Sequence, residues 1–133
     1  MNPFQKGFLE GIIPPPPMTV SEWSDKHRRL SSKGSSEPGP WRTSRVPYLK
    51  MPMDCLSVTN TDVERVVVMF GAQLGKTEMG INFLLYTIDH CPAPILCVAA
   101  SLDMVKRMSR QRLEPAFEET PVIKAKIAPQ RSR

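Results

Sequence analysis

The sequence predicts an α/β fold: a parallel sheet flanked by helices in strand–helix–strand–helix (βαβα) order, preceded by an irregular, helix-containing N-terminal arm. Two short runs, residues 65–70 (RVVVMF) and 95–100 (ILCVAA), are apolar, rich in β-branched residues and bounded by polar ones, as fully buried strands are. Each leads through a short turn into a helical pattern, an order that calls for a parallel sheet with right-handed crossovers. The texture also changes near residue 64, because the first half is rich in Pro, Ser and Gly and poor in apolar runs. Three segments follow: a flexible proline-rich arm over 1–18, a helical and loop segment over 19–64, and the sheet-forming core over 65–133.

Taken in order, residues 14–17 are consecutive prolines and form a polyproline II stretch. Residues 21–30 read as a short helix. Thr19 or Ser21 can cap it, and the acids Glu22 and Asp25 precede the bases Lys26, Arg28 and Arg29, as the helix dipole prefers. Residues 31–40 (SSKGSSEPGP) are a loop by their turn residues. A second short helix spans about 47–57, with Pro47 in its first turn. After the strand at 65–70, residues 71–75 make a tight loop and residues 76–90 a helix. Met79, Phe83, Leu84, Tyr86 and Ile88 supply its apolar face, and Cys91, Pro92 and Pro94 stop it. After the strand at 95–100, Ser101 caps a third helix over 102–113 with Asp103 in its first turn, and Pro115 marks its end. The basic tail, residues 124–133, reads as frayed.

Composition excludes several classes. A chain of 133 residues is one domain or less. No apolar run approaches the roughly 20 residues of a membrane helix. The N-terminus lacks the basic start, long apolar stretch and small-residue cleavage site of a secretory signal. The three cysteines, Cys55, Cys91 and Cys97, form no C-x-x-C pair, which points to reduced thiols rather than a disulfide scaffold or zinc knuckle. His27 and His90 have no other ligand at metal spacing. A net charge of +5 is compatible with an acidic partner, nucleic acid above all.

The informative motif is GAQLGKT, residues 71–77. It follows an apolar run directly and opens a helix, which is the setting phosphate binding requires. Glycines let the backbone curl so that successive N–H groups point inward. The helix N-terminus adds about half a positive charge. Lys76 can reach the β and γ phosphates, and the Thr77 hydroxyl can ligate Mg²⁺. The spacing is one residue shorter than the common G-x-x-x-x-G-K-[ST] form, so the flanking elements carry much of the signal.

Residues 66–78 (VVVMFGAQLGKTE) resemble the phosphate loop of the large terminase subunit of tailed bacteriophages, in the branch that includes the lambda packaging ATPase. Residues 21–25 (SEWSD), 37–48 (EPGPWRTSRVPY) and 52–54 (PMD) resemble the segment before the loop in that branch. Residues 94–100 (PILCVAA) and 103–113 (DMVKRMSRQRL) resemble the segment after it. The likeness covers about 19–120 in the family's order. It implies that residues 65–133 are part of a P-loop ATPase core, from a soluble, host-cytoplasmic motor that pumps concatemeric viral DNA into a capsid shell. The family also cuts DNA with Mg²⁺ or Mn²⁺ in a separate nuclease domain, and works with a small terminase subunit, a portal ring and further terminase subunits. Carried over by residue, Gly71, Ala72, Gln73, Leu74, Gly75, Lys76 and Thr77 hold ATP, Thr77 holds Mg²⁺, Gln73 contacts the γ-phosphate or attacking water, and Tyr48 stacks on adenine. Tyr48 taken by itself also reads as a core tyrosine, and Trp23 and Trp41 read as packing anchors.

The chain departs from the family pattern in places. No apolar strand ends in the Asp-Glu pair that hydrolysis needs: residues 95–100 lead into Ser101 and Leu102, Asp103 comes too late, and Glu118 and Glu119 follow a helix. Ala72 stands where some terminases carry an arginine, leaving an arginine from a neighbouring subunit as an open source. The simplest expectation is an N-terminal, ATP-binding piece of a larger prophage or phage protein, without turnover of its own. Lys106, Arg107 and Arg110, with Arg112, make the third helix basic, and either a DNA backbone or solvent fits that face. Two alternatives stay open: an interaction module for DNA or the small subunit with a vestigial loop, and a minimal ATPase of another P-loop class.

Overall fold

A computed structural model of the chain describes residues 2–33 and 35–128. Among the described residues it is mostly helical, with one small two-stranded antiparallel sheet. Helix α1 (Pro3–Ile12) begins with a capping box: Asn2 accepts from the Phe4 N–H at 3.2 Å and donates its own N–H to Gln5 Oε1 at 3.2 Å. Pro3 stands in its first turn, where its missing N–H costs nothing. The sequence reading of 1–18 as a flexible proline-rich arm does not include this helix. Its apolar residues Phe4, Phe8, Leu9 and Ile12 are all exposed.

Helix α2 (Val20–His27) starts at Thr19, whose hydroxyl accepts from the Glu22 N–H while Glu22 accepts the Thr19 N–H at 2.9 Å. It stops three residues before its expected end, where Arg29–Leu30 (β1) pairs with Gly39–Pro40 (β2) across the loop. The register sets Arg29 opposite Pro40 and Leu30 opposite Gly39. The expected helix over 47–57 is present as a 3₁₀ turn, Pro47–Leu49, running into α3 (Lys50–Cys55).

Helix α4 (Lys76–Asp89) is the centre of the core. It buries Met79, Ile81, Leu85 and Tyr86 against Val20 and Trp23 of α2, Leu49 and Met53 around α3, and Ile123. Polar anchors fix its far end: the Trp23 Nε1–H donates to Asp89 at 2.8 Å, Lys126 binds Asp89 at 2.7 Å, and the Tyr86 hydroxyl donates to the Met18 carbonyl at 2.9 Å. Trp23 and Trp41 are both buried, the packing role their sequence setting suggests.

The third helix does not end at Pro115. Helix α5 (Leu102–Met108), a π-helical turn (Ser109–Leu113) and α6 (Glu114–Glu119) run on from one another, followed by α7 (Pro121–Lys124). Proline inside a helix lacks a donor and crowds the preceding turn. Here the turn before it is wound in π fashion, with the Glu114 N–H donating to the Ser109 carbonyl, and Pro115 is taken up at the first turn of the next helix.

The expected parallel sheet is not formed among the described residues. Residues 63–70 and 92–99 carry no strand pairing. Residues 66–70 do alternate as a strand does: Val68 and Phe70 pack on the core while Val67 and Met69 are 82% and 93% exposed. The second run is still more open, with Leu96 at 87% and Val98 at 83%. Apolar composition alone made both look fully buried. A ladder also needs a neighbouring strand at about 4.8 Å, and among the described residues neither run has one. Of the basic tail, residues 129–133 lie outside the described residues.

Candidate functional site

The loop of residues 71–75 turns through two left-handed backbone positions, Gln73 at φ +60° and Gly75 at φ +83°. Gly75 is the N-cap of α4, and among the described residues no side chain caps that terminus. The first-turn N–H groups of a helix have no intrahelical acceptors, so at this uncapped end they are donors for an anion. A Cβ on Gly75 would sit 2.9 Å from Leu49 Cδ1, so the loop lies directly on the core. The Lys76 ammonium folds back over the loop, donating to the carbonyls of Phe70 at 2.9 Å and Gly71 at 2.5 Å.

In front of this loop lies an open cavity of about 520 Å³. Gln73, Leu74, Gly75, Lys76 and Thr77 line one side of it, and Tyr48, Trp41, Arg42 and Arg45 contribute to the rest. Tyr48 is half-exposed and meets Phe70 edge to face, ring centroids 5.9 Å apart. The cavity wall thus brings residues 73–77 together with Tyr48, which lies 25 to 29 positions upstream. Gly71 and Ala72 belong to the loop but not to the cavity wall. Lys106, Arg107 and Arg110 stand away from it, exposed on α5 and the π turn.

Three further cavity residues carry charge: Glu37, which pairs with Arg45, and Glu78 and Arg112, which pair with each other. Glu78 directly follows Thr77. Its Oε2 accepts from Arg28 Nη2 at 3.0 Å and its Oε1 from Arg112 Nη1 at 3.4 Å. Arg28 is 3% exposed, gives its Nε–H to Asn82 at 3.1 Å and donates to the Arg29 carbonyl. Burial pushes the Arg28 guanidinium below its ordinary pKa, and Glu78 opposes the shift. A buried arginine keeps its charge, so Glu78 is held in place to neutralise it. The sequence flags Glu78 only as part of the loop motif and Arg112 only as part of a basic helix. Their meeting depends on a fold contact with no local signal.

The residues present suit a nucleoside triphosphate. The uncapped helix end, the two left-handed loop positions and the nearby Lys76 ammonium are the kind of donor set an anion requires, and the cavity is of a size that ordinary small-ligand sites have. For Mg²⁺, the Thr77 hydroxyl would be one oxygen ligand, and no cluster of three or more His, Cys, Asp or Glu suited to a metal occurs among the described residues.

Residues 35–133 match the family model described as phage terminase large subunit gpA, ATPase domain. The chain is also 27% identical over 117 residues to the large terminase subunit of Enterobacteria phage P21, covering 88% of this chain and 17% of that protein. It therefore spans about a sixth of that relative's length. No solved structure matches it. No helix among the described residues is long and apolar enough to cross a membrane. With most of its length inside the family model, the chain belongs to the phage terminase large subunit gpA ATPase-domain family.

Proposed function

We propose that the chain is the nucleotide-binding part of a phage DNA-packaging motor, acting in the host cytoplasm. The observation that carries this reading is the single cavity shared by residues 73–77 and Tyr48. In it the first-turn N–H groups of α4 and Lys76 hold the phosphates of ATP, Thr77 gives its hydroxyl to Mg²⁺, and Tyr48 presents a ring to the adenine. Bound Mg-ATP supplies the phosphoryl-transfer chemistry. The chain's own part is to bind and orient, and Gln73 would contact the terminal phosphate or the attacking water. Double-stranded DNA, the small terminase subunit, the portal on the capsid and neighbouring large subunits are the partners this role implies. DNA cleavage belongs to a nuclease domain elsewhere in such a protein.

The test is a titration of the chain with a fluorescent ATP analogue in Mg²⁺ beside Lys76→Ala. Losing one charge-assisted contact costs roughly 1.5–3 kcal/mol, so affinity should fall about tenfold to a hundredfold. A folded wild-type chain that binds no nucleotide would overturn the reading. It would favour the interaction module instead, for which the exposed apolar stripe of α1, carried ahead of the proline run, is the supporting observation.

A further inference from the structure

We infer that Arg112 is a phosphate-sensing arginine of this site: it exchanges Glu78 for the terminal phosphate of a bound nucleoside triphosphate. The inference rests on the nucleotide-site reading and adds to it a residue from outside the phosphate loop. Arg112 lines the same cavity as Lys76 and Thr77. Its contact with Glu78 is the weaker of the two that Glu78 makes: 3.4 Å from a half-exposed guanidinium, against 3.0 Å from the buried Arg28. A phosphate oxygen carries more charge than a carboxylate already shared between two arginines. When Arg112 turns to it, Glu78 keeps Arg28, so no buried charge is left uncompensated.

The local backbone fits such a role. Arg112 stands in the π-helical turn Ser109–Leu113, and π turns re-aim side chains within otherwise regular helices. The same turn carries Arg110 and continues α5, which carries Lys106 and Arg107. A movement of Arg112 toward the phosphate would therefore be felt by the basic face. A diphosphate ends short of Arg112 in this scheme and leaves it on Glu78.

The test uses the full chain with Mg²⁺ and two probes, ADP and a non-hydrolysable ATP analogue, on wild type, Arg112→Gln and Lys76→Ala. Arg112→Gln is expected to weaken the triphosphate analogue by about tenfold or more while ADP stays within about twofold. Lys76→Ala should weaken both probes. Equal losses for both probes in Arg112→Gln, or no loss, would overturn the inference while leaving the nucleotide site standing. Nucleotide binding that ignores Lys76 would overturn the site and this inference together. A second measurement guards against misfolding of the variant: in the wild type, the Arg112 side-chain Nε–H resonance should shift with the triphosphate analogue and not with ADP. An unmoved resonance at saturation counts against the exchange.

Discussion

Gly75 illustrates how one residue serves both core and site. Its φ of +83° is a region that L side chains enter only with strain, and its missing Cβ leaves room for Leu49. Gly75→Ala must therefore strain the turn and push a buried leucine at the same time. The expected cost is about 1–3 kcal/mol of stability, read as a lower denaturation midpoint, together with weakened nucleotide binding. An unchanged midpoint would show that the loop does not hold this conformation. At this scale much was legible from sequence. The loop glycines announce their geometry, a tight turn into a helix that Gly75 enters at φ +83°. Glu78 and Arg112 do not, because thirty-four positions separate them and only tertiary packing brings them together.

Among the elements, helices were read more reliably than strands. The caps at Thr19 and Ser101 are local hydrogen bonds, so the sequence specifies them without help from the fold. The runs at 65–70 and 95–100 have apolar residues, but a strand is completed only by a partner, and no local pattern supplies one. Pro115 misled for a related reason, since the π turn that accommodates it is a response of the whole helix. The exposed apolar residues of the two runs make a prediction of their own. An unpaired apolar segment invites association with another chain. Val67→Lys combined with Leu96→Lys should therefore lower the weight-average mass measured by sedimentation velocity at high protein concentration. An identical mass distribution in wild type and variant would show that these runs do not mediate self-association.

For the whole molecule, stability should fall in two steps as the solution is acidified. His27 is pushed below its ordinary pKa of 6.5, first by burial and further by Lys26 and His90, against the pull of Asp89. Its folded value lies under its unfolded one, so its contribution is complete above about 6.5 and declines as the unfolded chain takes up the proton. Burial alone would raise Asp89 and Asp54. Hydrogen bonds from Lys126 and Trp23 to Asp89, and from Ser21 and Lys50 to Asp54, outweigh it and hold both below 3.8. Their contribution is present above that value and is lost as pH falls through their folded values. Melting temperatures by circular dichroism should therefore decline gently below about pH 6.5 and steeply below about pH 4. His27→Gln should remove the first step alone. A single step in the wild type would contradict the assignment. The central claim, that Tyr48 and residues 73–77 form one nucleotide site, is tested most directly by backbone amide NMR shifts on titration with Mg-ATP. The account predicts saturable shifts concentrated at Tyr48, Gln73, Gly75, Lys76 and Thr77. Saturable shifts confined to other parts of the chain, or none from a folded chain, would contradict it.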